Sequence, residues 1–109
     1  MVLPERERVC LRPGGTLHAR ALDELERESR GLLERGFTRL AIDLRGVRAA
    51  DWTAAATLAA ISRLTRRNAA RLTVIPGSSP AVQQLIRAGL MDGVPMDTVP
   101  GRPYFDWSR

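Results

Sequence analysis

The sequence contains one cysteine, one histidine and no lysine. Cys10 cannot form an internal disulfide, which agrees with a reducing compartment. One Cys and one His are too few to give a cluster with the ligand number and spacing of a zinc site. The G-x-S-x-G, P-loop and G-x-G-x-x-G patterns are also missing. These absences argue against a small enzyme or nucleotide binder, and we expect no catalysis, no metal and no cofactor.

Long apolar runs are missing as well. No stretch reaches the length needed to span a membrane, and the N-terminus lacks the pattern of a signal peptide. We therefore expect a soluble, cytoplasmic protein without membrane insertion. Its 109 residues, 44% of them hydrophobic, suffice for one core. We predict a short arm over residues 1–8, one domain over 9–95, and a Pro- and aromatic-rich tail over 96–109.

The basic residues outnumber the acidic ones, 17 to 12, and all of them are Arg. Acidic residues are interspersed among them, so the positive charge is not concentrated in a basic patch of the kind that binds nucleic acid. The densest group falls near the end of a predicted helix and consists of Arg63, Arg66, Arg67 and Arg71. Because cations complement the negative end of the helix dipole, we interpret this group as a solvated helix end and expect no direct DNA binding.

Apolar residues repeat with two different periods along the chain. Period-two alternation predicts strands, and helical spacing predicts helices. The strands are expected over 9–12, 39–44 and 71–75, and the helices over 19–35, 53–67 and 80–88. Pro13-Gly14-Gly15 predicts a turn after the first strand. Strand–helix alternation predicts an α/β domain with a mixed, partly parallel sheet and helices packed mainly on one face.

Helix ends carry recognisable signals. Gly36 and Gly89 stand where the first and third helices should end, and Asn68 ends the second. Ser79 before Pro80 is an N-cap followed by proline at the first helical position. These signals favour three separate helices.

The segment RLAIDLRGVRAADWTAAATLAA, residues 39–60, gathers polar groups where a strand and a helix meet. Asp43 ends the strand, and Asp51 is placed to cap the free N–H groups of the following helix. A capping role alone accounts for an Asp at position 51. Thr53 lies inside the helix, where its hydroxyl is hardly needed for capping. Its hydroxyl is expected near the positive end of the helix dipole.

This segment resembles the STAS domains and, within them, the bacterial anti-sigma factor antagonists. The family's apolar strand ending in Asp, its Gly-containing turn and its Asp-Ser-Ser/Thr-Gly helix start match AIDLRGVRAADWTAAATL. The matching positions are Asp43, Gly46, Val47, Asp51 and Thr53. The run RLTVIPGSSPAVQQLIRAGL is similar to the family's next strand and helix, and GTLHARALDEL lies where the family has Gly-x-Leu-Asp. The resemblance covers roughly residues 9–95.

The resemblance implies a binding module switched by phosphorylation. In the family, a kinase that is itself an anti-sigma factor phosphorylates the position of Thr53; unmodified protein binds it and phosphorylated protein releases it. The implied partner-binding residues are His18, Asp43, Gly46, Asp51, Trp52, Thr53, Ala54 and Thr57. The alternative is a STAS-type accessory subunit of a membrane transporter or another regulatory STAS module, in which Thr53 is not modified.

The chain departs from the family pattern at several positions. Trp52 replaces a small Ser, Ala54 replaces the Gly, and His18 stands where Asp is usual. The Trp52 ring either lies on the contact surface or packs down as core. The family's last helix is replaced by a tail containing Tyr104, Phe105 and Trp107. We expect these aromatics to fold back over the bare surface or to fill a homodimer interface, because exposed together they form a costly apolar patch.

Overall fold

A computed structural model describes residues 9–96 and the backbone of residues 103–106. It contains six strands, β1 (Val9–Arg12), β2 (Gly14–Thr16), β3 (Arg39–Asp43), β4 (Gly46–Ala49), β5 (Arg71–Ile75) and β6 (Pro103–Asp106). The three helices are α1 (Ala19–Glu34), α2 (Trp52–Arg67) and α3 (Pro80–Arg87). All six elements predicted from the periodicity are present, with ends within one residue of the expected ones. The expectation for residues 1–8 lies outside the described part of the chain.

The strands form one four-stranded sheet in the order β5-β3-β1-β6 and a separate pair, β2-β4. Every pairing between these strands is parallel. The α/β architecture with three helices is therefore confirmed. In the large sheet, β3 lies in the interior and pairs with β1 through Leu40 and Val9, and with β5 through Leu40 and Leu72.

The main core lies on one face of the large sheet. Alternate strand residues that point to this face, among them Leu11, Ile42 and Val74, form a single buried cluster with the apolar faces of the helices. The helices contribute Leu22, Leu25, Leu32, Leu33, Ala54, Ala55, Leu58, Ile61, Val82 and Leu85. Among the residues whose side chains the structure describes, the opposite face of the sheet carries a small separate cluster of Cys10, Ala41 and Ile75. Alternation along the strands thus separates a helix-covered face from a second face.

The helix ends follow their sequence signals. Arg35 caps α1 and Gly36 follows at φ 93°, a left-handed conformation that glycine adopts without a Cβ penalty. Asn68 caps α2, and Asp51 accepts a hydrogen bond from the backbone at its start. Ser79 is the N-cap of α3, but its side chain makes no capping hydrogen bond and its buried Oγ has no partner. Pro80 at the first position of α3 has no N–H, so one fewer backbone donor at this helix start needs a partner.

Three short strands were not predicted. The turn expected at Pro13-Gly14-Gly15 is instead the start of β2, and the Gly46 turn is the start of β4. These two strands pair with each other, and a register shift after Gly15 accommodates its φ of 66°. β6 pairs with β1 at the sheet edge, where Pro103 is tolerated as the first residue of a strand. The side chains of Tyr104, Phe105 and Trp107 lie outside the described residues, so their predicted packing stays a prediction.

Candidate protein-binding site at the start of α2

The β2-β4 pair brings the N-termini of α1 and α2 together. Thr16 is in register with Ala49, and the N–H of Leu17 donates to the Ala49 carbonyl at 2.9 Å. One residue after Leu17, His18 caps α1, and two residues after Ala49, Asp51 caps α2. The pairing of two very short strands therefore places His18 and Asp51 at the same end of the domain.

Asp51 organises the first turn of α2. Its Oδ1 accepts a hydrogen bond from the Thr53 N–H at 2.9 Å, and the Thr53 hydroxyl donates to the same oxygen. The hydroxyl bond and then the backbone bond lower the pKa of Asp51 below its ordinary value. Asp51 is exposed and Thr53 is half-buried. The Thr53 hydroxyl is consequently oriented at the positive end of α2 with its oxygen lone pairs unused by Asp51.

Trp52 lies on the surface rather than in the core. It is 67% exposed and is the most exposed large hydrophobic side chain of the described residues. Ala56, one turn along α2, is also exposed, and Thr57 is half-buried one turn after Thr53. Residues four apart on a helix are neighbours on its surface. Trp52, Thr53, Ala56 and Thr57 therefore form one continuous patch on the first two turns of α2.

Three of the proposed contact residues are placed differently. Asp43 and Ala54 are both 0% exposed, and Gly46 is half-buried in β4. Ala54 belongs to the main core, where α2 packs against the sheet. A partner cannot contact the Asp43 or Ala54 side chain without a rearrangement. We therefore assign these two residues and Gly46 to the support of the site and not to its contact surface.

Asp43 is held by two arginines that the sequence patterns did not connect with it. Its Oδ2 accepts from Arg12 Nε at 3.0 Å and from an Arg45 terminal nitrogen at 2.8 Å. Its Oδ1 accepts from both the backbone N–H and the Nε of Arg45, each at 3.0 Å. Burial alone would raise the pKa of Asp43, but the Arg45 hydrogen bonds and the two arginine charges outweigh it and lower the pKa.

The same contacts fix the chain between β3 and β4. The Arg45 side chain lies between Asp43 and Gly77, since a Cβ added to Gly77 would be 2.8 Å from Arg45 Cγ. The Leu44 N–H donates to the Ile75 carbonyl at 2.8 Å, and the Val47 N–H donates to the Leu44 carbonyl at 3.0 Å. The carboxylate of Asp43 thereby sets the direction in which β4 leaves the large sheet. The only local signal for this role was an Arg two residues after the Asp.

Comparison with known proteins identifies the family. The family model described as "Mlab, STAS domain" matches residues 4–98. The chain belongs to the STAS domain family. A comparison with curated proteins finds no match. STAS domains are generally non-enzymatic binding modules, which fits a surface built around an exposed Trp and a helix N-terminus.

His18 and a small cavity complete the described surroundings of the site in this STAS domain. Nδ1 of His18 accepts a hydrogen bond from the Ala21 N–H at 3.3 Å, so Nε2 takes no part in this cap. A cavity of about 200 Å³ lies beside it, lined in part by Thr16, Arg20 and Glu24. Within residues 9–96 and 103–106, no three His, Cys, Asp or Glu side chains are grouped to hold a metal ion. In the same residues, no helix combines the length and apolar character needed to cross a membrane.

Proposed function

We propose that this STAS domain is an anti-sigma factor antagonist. Its switch surface, defined as His18, Asp51, Trp52, Thr53 and Thr57, binds an anti-sigma factor with kinase activity. Phosphorylation of Thr53 by that kinase ends the complex. The observation that carries the proposal is the exposed Trp52 ring beside a Thr53 hydroxyl held by Asp51 at the start of α2.

Trp52 supports the binding part of the proposal. A Trp that is 67% exposed costs solvation free energy in the isolated domain. Tryptophan is also among the residues that contribute most to protein interfaces when it is buried in a partner's pocket. The small side chain of Ala56 beside it lets a partner approach the helix closely. A partner that covers this patch removes the apolar ring from water and gains the corresponding free energy.

Thr53 supports the switching part. A phosphate adds about −1.5 to −2 charges at neutral pH, and a helix N-terminus tolerates such a charge. The domain therefore stays folded after modification. Asp51, whose carboxylate already bonds the hydroxyl, would lie against the new phosphate and add to the negative charge of the surface. A partner surface complementary to the unmodified site would then meet a buried, uncompensated charge, which is strongly unfavourable.

A second candidate function is that of an accessory subunit of a membrane transporter. It is favoured by the position of Trp52, whose ring directly precedes Thr53 and would obstruct a kinase. In that case the same surface docks permanently on another transporter subunit, and Thr53 carries no phosphate. The two candidates share the docking role of Trp52 and differ in whether Thr53 is modified.

The test combines phosphorylation with binding. The purified domain is incubated with each anti-sigma kinase of the native cell and ATP, and the phosphate is mapped by mass spectrometry. Binding is measured by calorimetry for the wild type, Thr53→Ala and Trp52→Ala. Ser78→Ala is the matched control, because Ser78 is an exposed hydroxyl in the loop before α3.

We expect phosphate on Thr53, no phosphate on Thr53→Ala, and unaltered modification of Ser78→Ala. Thr53→Ala should retain binding, and Trp52→Ala should lose roughly 2 kcal/mol or more of binding free energy. Trp52→Ser separates the two roles of the ring, since faster phosphorylation with unchanged affinity identifies it as an obstruction. Phosphate at another residue, or affinity that modification of Thr53 does not alter, contradicts the switch and favours a STAS module that is not phosphorylated, either a transporter subunit or another regulatory module.

A further inference from the structure

A group of arginines meets at the opposite end of α2. Arg39 and Arg71 are in register on the neighbouring strands β3 and β5, and both are exposed. Arg66 and Arg67 lie in the last turn of α2, also exposed. Among the described residues, no carboxylate forms an ion pair with these four arginines.

The helix dipole explains only part of this group. Cations in the last turn of a helix are stabilising, which accounts for Arg66 and Arg67. Arg39 and Arg71 are register partners on the parallel strands β3 and β5, so two like charges lie on neighbouring strands. An external anion that binds between the two side chains would reduce their mutual repulsion.

A cavity lies beside these arginines. Its volume is about 280 Å³, and we call it the basic cavity; it is lined by Arg66, Ala70, Arg71, Leu72, Thr73 and Pro95, among others. Ala70 and Leu72 are buried and apolar, whereas Arg66 and Arg71 are exposed at the rim. The Thr73 hydroxyl oxygen is buried without a hydrogen-bond partner. The basic cavity thus combines an apolar interior with a positively charged entrance.

Some backbone groups of β5 point to the outer edge of the strand, where a further segment could form hydrogen bonds. The Val74 N–H points away from β3 and donates to the Pro95 carbonyl at 2.8 Å. Strand geometry repeats every two residues, so the Leu72 N–H points to the same outer edge, at the basic cavity. An extended segment placed there meets a strand edge, an apolar pocket and two arginines.

We propose that the basic cavity binds an acidic peptide segment of a partner protein through one bulky apolar side chain. The apolar side chain enters between Leu72 and Ala70, and flanking carboxylates pair with Arg66 and Arg71. A carboxylate is the partner whose geometry a guanidinium matches with two hydrogen bonds. The site lies about 20 Å from Thr53, since 13 residues of α2 separate Thr53 from Arg66. A short peptide side chain bound there does not contact the switch surface.

Two other anionic partners fit the described surface less well. A lipid surface is bound by apolar side chains that protrude from a basic face, and here the apolar residues line a concavity. Single-stranded nucleic acid needs aromatic side chains on which its bases stack, and none of the residues that line the basic cavity is aromatic.

The probe is a fluorescein-labelled dodecapeptide of Glu and Gly with one central Phe. Its affinity is measured by anisotropy, and its position by amide shifts of the labelled protein. Two matched peptides carry Phe→Ala or Glu→Gln throughout. The protein variant is Arg66→Gln with Arg71→Gln, which neutralises the rim. Its control is Arg27→Gln with Arg87→Gln, an equal charge change at exposed positions elsewhere.

We expect amide shifts at residues 62–73 and an affinity that falls as salt is added. Replacing Phe should weaken binding about tenfold or more, because one apolar side chain is no longer buried. Neutralising the rim should weaken binding about fivefold or more, and the control variant less than about twofold.

Equal weakening by the control variant overturns the proposal, because it shows attraction by net charge alone. The proposal is also overturned if the Phe→Ala peptide binds with unchanged affinity. Amide shifts at Trp52 and His18, and not at residues 62–73, overturn it as well. The same titration with vesicles of anionic phospholipid and with single-stranded DNA completes the test. If vesicles or DNA bind more tightly than the peptide, and Arg66→Gln with Arg71→Gln abolishes that binding, the cavity belongs to that ligand. This result contradicts the proposal of a peptide site.

Discussion

Replacing Asp43 by Asn should destabilise the domain without altering the shape of the side chain. Asp43 is fully buried, and its two oxygens accept hydrogen bonds from Arg12 and from the backbone and side chain of Arg45 at 2.8–3.1 Å. An Asn offers one acceptor oxygen and turns an NH₂ group toward the arginine donors. At least one of the charged hydrogen-bond donors therefore loses its partner.

The magnitude follows from the burial of the partners. Hydrogen bonds to charged groups contribute about 1.5–3 kcal/mol each. The Arg12 and Arg45 side chains are 25% and 45% exposed, so they regain water when the carboxylate is lost. We therefore expect a total loss near the value of one such bond, about 2 kcal/mol in the free energy of unfolding. For a domain of this size, that lowers Tm by roughly 8–16 °C.

The loss should depend on pH in a defined direction. Because the folded state lowers the pKa of Asp43, the carboxylate stabilises fully above its unfolded pKa of about 3.9. Its contribution disappears as the pH falls through the lowered folded pKa. The difference in unfolding free energy between wild type and Asp43→Asn should therefore be full at pH 7 and shrink below about pH 4.

The assay is urea unfolding followed by circular dichroism at several pH values. Asp23→Asn is the control, since Asp23 is an exposed acid on α1. A double-mutant cycle with Arg45→Gln should give a coupling of about 1 kcal/mol or more, because the two side chains are in direct contact. Equal stability of Asp43→Asn and wild type at pH 7, or additivity with Arg45→Gln, would refute the role assigned to the carboxylate.

Three further changes test other features by thermal unfolding. Gly77→Ala should cost about 2 kcal/mol or more, because Gly77 has φ 68° and its new Cβ would meet Arg45; Gly15→Ala, with φ 66° and open space, should cost only the backbone strain of about 1–2 kcal/mol. Thr73→Val should stabilise the domain by about 1 kcal/mol, because it removes a buried hydroxyl without a partner; a lower Tm would show that this hydroxyl is hydrogen-bonded in solution. Deleting residues 101–109 should lower Tm, because β1 loses its parallel neighbour β6, and an unchanged melting curve would contradict that pairing's contribution.

The elements with local signals could be predicted from the order of residues. Apolar alternation in β3 and β5 and helical spacing in α1, α2 and α3 each concern residues within one element. The caps at Gly36, Asp51 and Asn68 depend on residues one to four positions away. The placement of Thr53 in the first turn of α2 follows from the Asp51 cap alone, which is why this part of the site could be predicted.

Features that join distant segments could not be predicted in this way, because they depend on how the chain folds. Gly14–Thr16 and Gly46–Ala49 are too short to show a period, and each becomes a strand because the other supplies its hydrogen bonds. The helical spacing alone does not fix the exposure of Trp52, because a ring in the core and a ring on the surface both satisfy it.

The same holds for the charged groups. Asp43 meets Arg12 only because β1 and β3 lie side by side in register. Arg39 and Arg71, 32 residues apart in the sequence, become neighbours through the pairing of β3 with β5. A sequence shows how many charges a chain carries, but their interaction depends on distance and burial, which chain folding alone establishes.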